Sequence, residues 1–167
     1  MIRKARPDDM NDLLILWNEM MDSHKGMHPD FRISKNADMA MASNFTNLFD
    51  DTTSEIIVAE EEGKVVGMLI AQSRMGLPYT QTEKTGYIRD VSVTKSFRRT
   101  GIGKKLVEAG IKFLKSVDAE YIDLITGSEN EESNEFWKEM GFIETLKIRS
   151  LLLSPELKQN KSDNKDK

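Results

Sequence analysis

The residues whose types and spacing could do chemistry lie in Asp90–Lys105, which reads DVSVTKSFRRTGIGKK. A strand-like run ends at Val93, and Gly101 and Gly103 then open a helical pattern. Backbone N–H groups at a helix N-terminus lack partners within the helix, and the helix dipole adds about half a positive charge there. Glycines also let the backbone approach a phosphate closely. The segment therefore predicts an anion-binding loop.

Positive side chains surround this loop, although the chain as a whole has a net charge of −4. They are Arg98, Arg99, Lys104 and Lys105. This concentration of charge favours a diphosphate ligand, and a solvated basic helix start is the alternative. The P-loop spacing is absent, and Leu106 stands where the dinucleotide fingerprint has its third glycine.

The spacing of apolar residues predicts an α+β fold that positions the loop. Strands are expected near 2–5, 55–60, 65–73, 85–93, 119–126 and 142–153, and helices near 10–21, 36–50, 101–117 and 130–140. The short connection at 61–64 indicates an antiparallel hairpin. We therefore predict a mixed central sheet of about six strands, an antiparallel meander followed by a βαβ crossover, flanked by about four helices.

The length and composition exclude several classes of protein. We expect one domain over 1–153 and a flexible polar tail over 154–167. The chain has no cysteine and two histidines, so we predict no disulfide and no metal site. The acidic balance disfavours nucleic acid, and no apolar run approaches the ~20 residues of a membrane span. A soluble, cytoplasmic protein is expected.

Two motifs resemble those of the GNAT N-acetyltransferases. Arg98-x-x-Gly101-x-Gly103 matches the (Gln/Arg)-x-x-Gly-x-(Gly/Ala) signature, between the predicted fourth strand and third helix. Downstream, the residues that resemble the family's N-x-x-A-x-x-F-Y-x-K-x-G-F are Asn130, Ser133, Phe136, Trp137, Lys138, Gly141 and Phe142. The predicted element order also agrees with the family from Ile2 to about Leu153, which is nearly the whole chain.

The resemblance implies an acyl-CoA-dependent N-acetyltransferase that uses acetyl-CoA. In the family the pyrophosphate lies on the glycine loop, and the pantetheine arm extends along the fourth strand. The corresponding cofactor-binding residues here are Val91, Ser92, Val93, Arg98, Arg99, Thr100, Gly101, Ile102, Gly103, Lys104, Asn130, Ser133 and Trp137. The acceptor would be a primary amine, of a small molecule or of a protein or peptide, attacking directly in a ternary complex. Dimers are common in the family, although no feature of the sequence demonstrates one.

The chain departs from the family at two positions that handle protons. The usual tyrosine acid is replaced by Trp137, and Arg89 stands where many members have a glutamate base. We expect Asp90 to point away from Arg89, because side chains alternate along a strand. Asp90 and Glu83 are the candidate catalytic residues, acting through water, and a structural carboxylate paired with a nearby arginine is the alternative for Asp90. These departures keep open a catalytically silent acyl-CoA-binding regulatory module.

By the same resemblance, two loops, 23–35 and 76–84, would form the acceptor pocket. The residues expected to line it are His24, His28, Phe31, Tyr79 and Glu83. Each also has a plainer interpretation. His24, for example, continues the apolar stripe of the first helix and could simply pack there.

Overall fold

The computed structural model describes residues 1–28 and 31–153, so the predicted tail at 154–167 lies outside the described residues. The strands are β1 (Ile2–Lys4), β2 (Ser54–Glu61), β3 (Lys64–Met75), β4 (Lys84–Val93) and β5 (Ile122–Asp123). The helices are α1 (Met10–Ser23), α2 (Ala37–Asp50), α3 (Ile102–Ser116) and α4 (Glu131–Glu139). None of the described helices has the length and apolar character needed to cross a bilayer.

The described strands form one five-stranded sheet in the order β1-β2-β3-β4-β5. The first three pairings are antiparallel, and β5 joins β4 in parallel after α3. This confirms the predicted mixed sheet, with an antiparallel meander followed by a βαβ crossover. The hairpin between β2 and β3 turns on two residues, Glu62 and Gly63, which both have positive φ as a type I′ turn requires.

The chain divides into two compact units. The first unit, Met1–Met20 and Lys35–Ile125, contains the whole sheet. Helices α1 and α2 cover one face, where the buried core includes Leu13, Leu16, Phe45, Leu48, Ile56, Val58, Met68 and Ile70. Helix α3 covers the other face and approaches it closely at Gly110, where an added Cβ would lie 2.8 Å from Leu69. The missing side chain therefore permits this close packing.

The second unit comprises Met21–Ser34 and the described part of Thr126–Lys167, and it includes α4. Its buried aromatic residue is Trp137, whose ring makes edge contacts with Phe136 and Phe142 at 5.1 Å between centroids. Such edge-to-face pairs stabilise a packed aromatic cluster.

The start of α1 is anchored to the sheet by an ion-pair network. The Arg3 guanidinium donates to both carboxylate oxygens of Asp9, at 2.7 and 2.8 Å, and to Glu60 at 2.7 Å. The Arg6 backbone N–H also donates to Asp9. The hydrogen bonds from Arg3 hold the pKa of Asp9 below its usual range, against the opposing effect of burial.

The described residues form five strands, close to the expected number, and the segment 142–153 is not one of them. The large apolar side chains of this segment, at Ile143, Leu146, Ile148, Leu151 and Leu153, are exposed. An apolar-rich segment alone does not make a strand, since a strand also needs a neighbour to satisfy its backbone hydrogen bonds.

Candidate active site

Strand β4 contains a β-bulge at Arg89. On β3, Ile70 lies opposite Asp90 and the next residue, Ala71, lies opposite Ile88, so Arg89 is the extra residue. A bulge of this kind interrupts the alternation of side chains and re-aims those beside it.

The bulge places Arg89 and Asp90 on the same face of the sheet, contrary to the expectation that they point apart. Asp90 lies opposite Ile70, which belongs to the core under α1 and α2. The Arg89 Nε donates to Asp90 Oδ2 at 2.7 Å, and Arg89 Nη1 donates to Asn44 Oδ1 of α2 at 2.9 Å. Asp90 is therefore paired with a nearby arginine, Arg89.

The second half of β4 has an open edge. Strand β5 pairs only with Gly86 and Tyr87, so no described strand covers Ile88–Val93 on that side. The Thr94 N–H donates to the Val66 carbonyl of β3. This bond shows which residues of β4 form hydrogen bonds to β3 and which do not. Residues alternate between bonded and non-bonded pairs, so the N–H and C=O groups of Val91 and Val93 point away from β3. This geometry leaves them directed to the open edge.

Ser92, between these two valines, presents neither its side chain nor its backbone groups to the open edge. Its hydroxyl is buried and donates to the Leu16 carbonyl of α1 at 2.9 Å. Its backbone groups are directed to β3 by the same alternation. Of the three β4 residues predicted to bind the cofactor, Val91 and Val93 are therefore the two that present backbone groups at the open edge.

The glycine loop continues from the end of this edge. Arg98 Nε donates to the Val93 carbonyl at 3.0 Å. Arg99 and Gly101 both have positive φ, 62° and 85°, and α3 begins at Ile102 directly afterwards. Left-handed residues in such a turn bring successive N–H groups toward one point, which makes an anion-binding concavity.

The first turn of α3 is available to a ligand. Gly101 occupies the N-cap position, and no side chain in the described residues caps the helix. Apart from its two chain neighbours, no described residue has an atom within 4 Å of a Cβ built on Gly101, so the space beside this glycine is open. The Ile102 side chain is buried, which leaves its backbone N–H for the predicted contact.

The side chains around the loop agree with an anion site. Arg98, Arg99, Lys104 and Lys105 are exposed, and Lys104 lies 4.0 Å from Glu108. Thr100 donates its hydroxyl to the Phe97 carbonyl at 2.7 Å, which stabilises the turn. The loop therefore combines uncapped amides with exposed positive charge, two features that favour the binding of a diphosphate.

In the second unit, the predicted cofactor residues stabilise α4. The Asn130 side-chain oxygen accepts the Ser133 N–H at 3.1 Å, so Asn130 caps the helix. Trp137 is buried in the aromatic cluster. Contacts of Asn130, Ser133 and Trp137 with a cofactor stay a prediction.

Three of the expected acceptor residues, His24, His28 and Phe31, belong to the second unit. The His24 and Phe31 rings stack at 4.8 Å between centroids, and His28 Nε2 lies 3.2 Å from Ser150 Oγ. In the first unit, Tyr79 and Glu83 are exposed, and the Glu83 backbone N–H donates to Glu120. Among the described residues, no cluster of three or more acidic or histidine side chains could hold a metal ion.

Sequence reasoning missed one residue of this site, Asn44. Asn44 is one of several polar residues on α2, and nothing in its spacing marks it as a partner of Arg89.

Comparison with known protein families gives one match across most of the chain. The model of the GNAT acetyltransferase family matches residues 17–142. An uncharacterised N-acetyltransferase of Archaeoglobus fulgidus is 25% identical over 136 residues, which is 81% of this chain and 88% of that protein. An N-alpha-acetyltransferase of Sulfurisphaera tokodaii is 28% identical over 110 residues, which is 63% of this chain and 66% of that protein.

Solved structures share the fold. A tetramutant of a Bacillus halodurans protein superposes with a TM-score of 0.80 at 25% identity, over 92% of this chain and 99% of that one. The aminoglycoside N-acetyltransferase AAC(6')-Iy, solved in complex with CoA, superposes with a TM-score of 0.72 at 15% identity, over 92% of this chain and 99% of that one.

Proposed function

The chain belongs to the GNAT family of acetyltransferases, and from that premise we propose that it is an N-acetyltransferase. It transfers an acetyl group from acetyl-CoA to a primary amine, on a small molecule or on a protein or peptide, by direct attack in a ternary complex. One observation carries this proposal. The open edge of β4 leads directly into a glycine loop whose helix is uncapped within the described residues.

The residues of the first unit fit acetyl-CoA. The amides of Ile102–Lys104 and the side chain of Arg98 would hold the diphosphate, and the backbone of Val91 and Val93 would pair with the amide-containing arm. When bound, acetyl-CoA supplies the acetyl group as an activated thioester. For Asn130, Ser133 and Trp137 of the second unit, contact with the cofactor rests on the family resemblance alone.

The chain must also handle the proton of the acceptor. A free alkylamine has a pKa near 10, so it must lose a proton before it can attack. We assign this task to Asp90 or Glu83, each acting through water. Asp90 is the better placed of the two, because it lies next to Val91 at the open edge, whereas Glu83 is exposed on a loop. The Val91 N–H would stabilise the negative charge that develops on the acyl oxygen.

No tyrosine stands at the family position for the leaving thiolate, because Trp137 occupies it and packs against Phe142. An indole N–H is too weak an acid to replace a phenol. We therefore propose that the chain works mainly by positioning the acceptor beside the thioester. Positioning of this kind can lower the activation barrier by several kcal/mol. Solvent would protonate the thiolate.

A thiol-release assay with acetyl-CoA and a panel of primary amines tests this function. The expected result is amine-dependent release of CoA thiol together with an acetylated amine detected by mass spectrometry. Calorimetry with CoA on the same protein is the control. CoA binding without turnover on any amine would instead support the silent regulatory module.

A further inference from the structure

Arg74, near the end of β3, is an exposed cation that the fold holds in place without neutralising it. Its guanidinium carbon lies 3.5 Å from the centroid of the Tyr87 ring of β4, which is the geometry of a cation–π contact. It forms no ion pair with an acidic side chain of the described residues. Because an arginine keeps its charge throughout the physiological pH range, this position presents a positive charge to any ligand that reaches it.

This charge lies on the same face of the sheet as the candidate base Asp90. Side chains two residues apart on a strand share a face, so Gln72 and Arg74 lie on the face of Ile70. Ile70 belongs to the core under α1 and α2. Tyr87 lies directly opposite Gln72, and therefore shares this face. Asp90 lies directly opposite Ile70 and shares it as well.

The distance between the two groups is that of one small ligand. The β3 partners of Asp90 and Tyr87 are two residues apart, which is roughly 7 Å along a strand. Arg74 itself lies opposite Thr85, so its guanidinium reaches back over the Tyr87 ring toward Asp90. A ligand with one end beside Asp90 and the other at Arg74 therefore needs a chain of several bonds between them.

The other arginine described on this face is already occupied. Arg89 donates to Asp90 at 2.7 Å and to Asn44 at 2.9 Å, and its ion pair with Asp90 neutralises its charge. Arg74 differs, because its N–H groups have no acceptor among the described residues. A guanidinium that stacks on a ring keeps the N–H groups at its edge available, and their fork matches a carboxylate.

We propose that Arg74 binds a carboxylate of the acceptor, and that the acceptor is an amine with this carboxylate several bonds from its reacting nitrogen. The inference rests on the proposed function. The reacting nitrogen lies at the open edge beside Val91, where Asp90 takes its proton through water. Arg74 holds the far end of the same molecule. It does not touch the reacting atoms, and is therefore a specificity residue.

Steady-state kinetics of Arg74→Gln with two acceptors test this proposal. The amino acid ε-aminocaproate carries the carboxylate, and hexylamine, of the same chain length, lacks it. We expect the unsubstituted chain to prefer ε-aminocaproate, and Arg74→Gln to lower kcat/KM for it about tenfold, mainly through KM. This is the weak end of the range for a charged hydrogen bond, because Arg74 is exposed.

The controls separate a specific contact from a general effect of charge. The value for hexylamine should stay within about twofold in Arg74→Gln. Lys64→Gln, which removes an exposed cation at the other end of β3, should change neither value. Arg74→Lys keeps the charge without the paired N–H groups, so it should restore part of the preference for ε-aminocaproate. The affinity for CoA, measured by calorimetry, should be the same in all these variants.

The outcomes distinguish this inference from the proposed function. If the unsubstituted chain does not prefer ε-aminocaproate, or if Arg74→Gln affects both amines equally, the inference is overturned while the proposed function stands. Acetylation of other primary amines but of neither of these two would overturn it in the same way. Absence of turnover by the unsubstituted chain with every amine would instead overturn both.

Discussion

Arg89 donates from its Nε to Oδ2 of Asp90 at 2.7 Å, although the two residues are consecutive in β4. Successive residues of a regular strand point to opposite faces, and the bulge at Arg89 removes that restriction. The pair therefore lies on the face covered by α1 and α2, where Asn44 fixes the arginine. At the position where many family members have a glutamate that acts as the general base, this chain therefore has Arg89, and its guanidinium holds the carboxylate of Asp90 in place.

The first prediction concerns the proton acceptor. Asp90→Asn should lower kcat about 10²- to 10⁴-fold, the usual contribution of general base catalysis, with little change in the affinity for CoA. Glu83→Gln should cost less, because Glu83 is exposed on a loop. Rates measured across pH with saturating acetyl-CoA check this. A larger loss for Glu83→Gln than for Asp90→Asn would reverse the assignment.

The second prediction concerns Gly101. Its φ of 85° is unfavourable for a side chain, so Gly101→Ala should lower the free energy of unfolding by about 1–2 kcal/mol. Gly63→Ala is a matched control, with a φ of 78° and no described atom within 4 Å of an added Cβ. Both variants should lose similar stability in urea unfolding. Only Gly101→Ala should weaken the binding of CoA, by about tenfold or more as measured by calorimetry. Equal affinity for CoA in the two variants would contradict the role of the loop.

A third prediction concerns the positive charge beside the loop. Arg98→Ala removes both a cation and the hydrogen bond to the Val93 carbonyl. Loss of a charged hydrogen bond should raise the Kd for CoA about 10- to 100-fold, and the effect should shrink as salt is added. Lys112→Ala, an exposed cation further along α3, should change the Kd less than about twofold. Similar losses of CoA affinity in the two variants would indicate that binding depends only on the overall charge of the protein.

The fourth prediction is a pH dependence of stability from Asp9. Arg3 lowers the pKa of this carboxyl in the folded chain. The ion pair therefore stabilises the fold fully above the unfolded pKa of about 3.9, and that stability is lost as pH falls through the folded pKa. Asp9→Asn should cost about 2–4 kcal/mol near pH 7, since it leaves Arg3 without a full partner.

Urea unfolding of Asp9→Asn at several pH values checks this, and its deficit should narrow as pH falls below about 4. Asp118→Asn, at an exposed position, serves as the control and should show little deficit at any pH. A deficit for Asp9→Asn that stays constant down to pH ~2 would mean that the ion pair is not its cause.

The elements of the fold could be predicted from the sequence where local pattern decides them. The apolar stripe of α3 and the short turn before Lys64 each determine their own structure, and both were predicted within a few residues. The prediction of a strand over 142–153 was wrong, because strand formation also depends on a partner strand, which the residues of the segment do not specify.

The candidate site, like the fold, could be predicted only in part from the sequence. The glycine loop could be identified because the residue types at Arg98, Gly101 and Gly103 are themselves the chemical requirement. The bulge at Arg89 could not, since its sequence reads as an ordinary strand and only pairing with β3 reveals the extra residue.

Backbone amide NMR of the chain titrated with CoA tests the central claim most directly. CoA should shift the amide signals of Val91, Val93 and Ile102–Lys104, and should slow their hydrogen exchange, because these groups form new hydrogen bonds. The amides of Glu62 and Gly63, at the turn between β2 and β3, should not change. Saturating CoA that leaves the β4 edge and the glycine loop unperturbed while it shifts amides elsewhere would contradict the account.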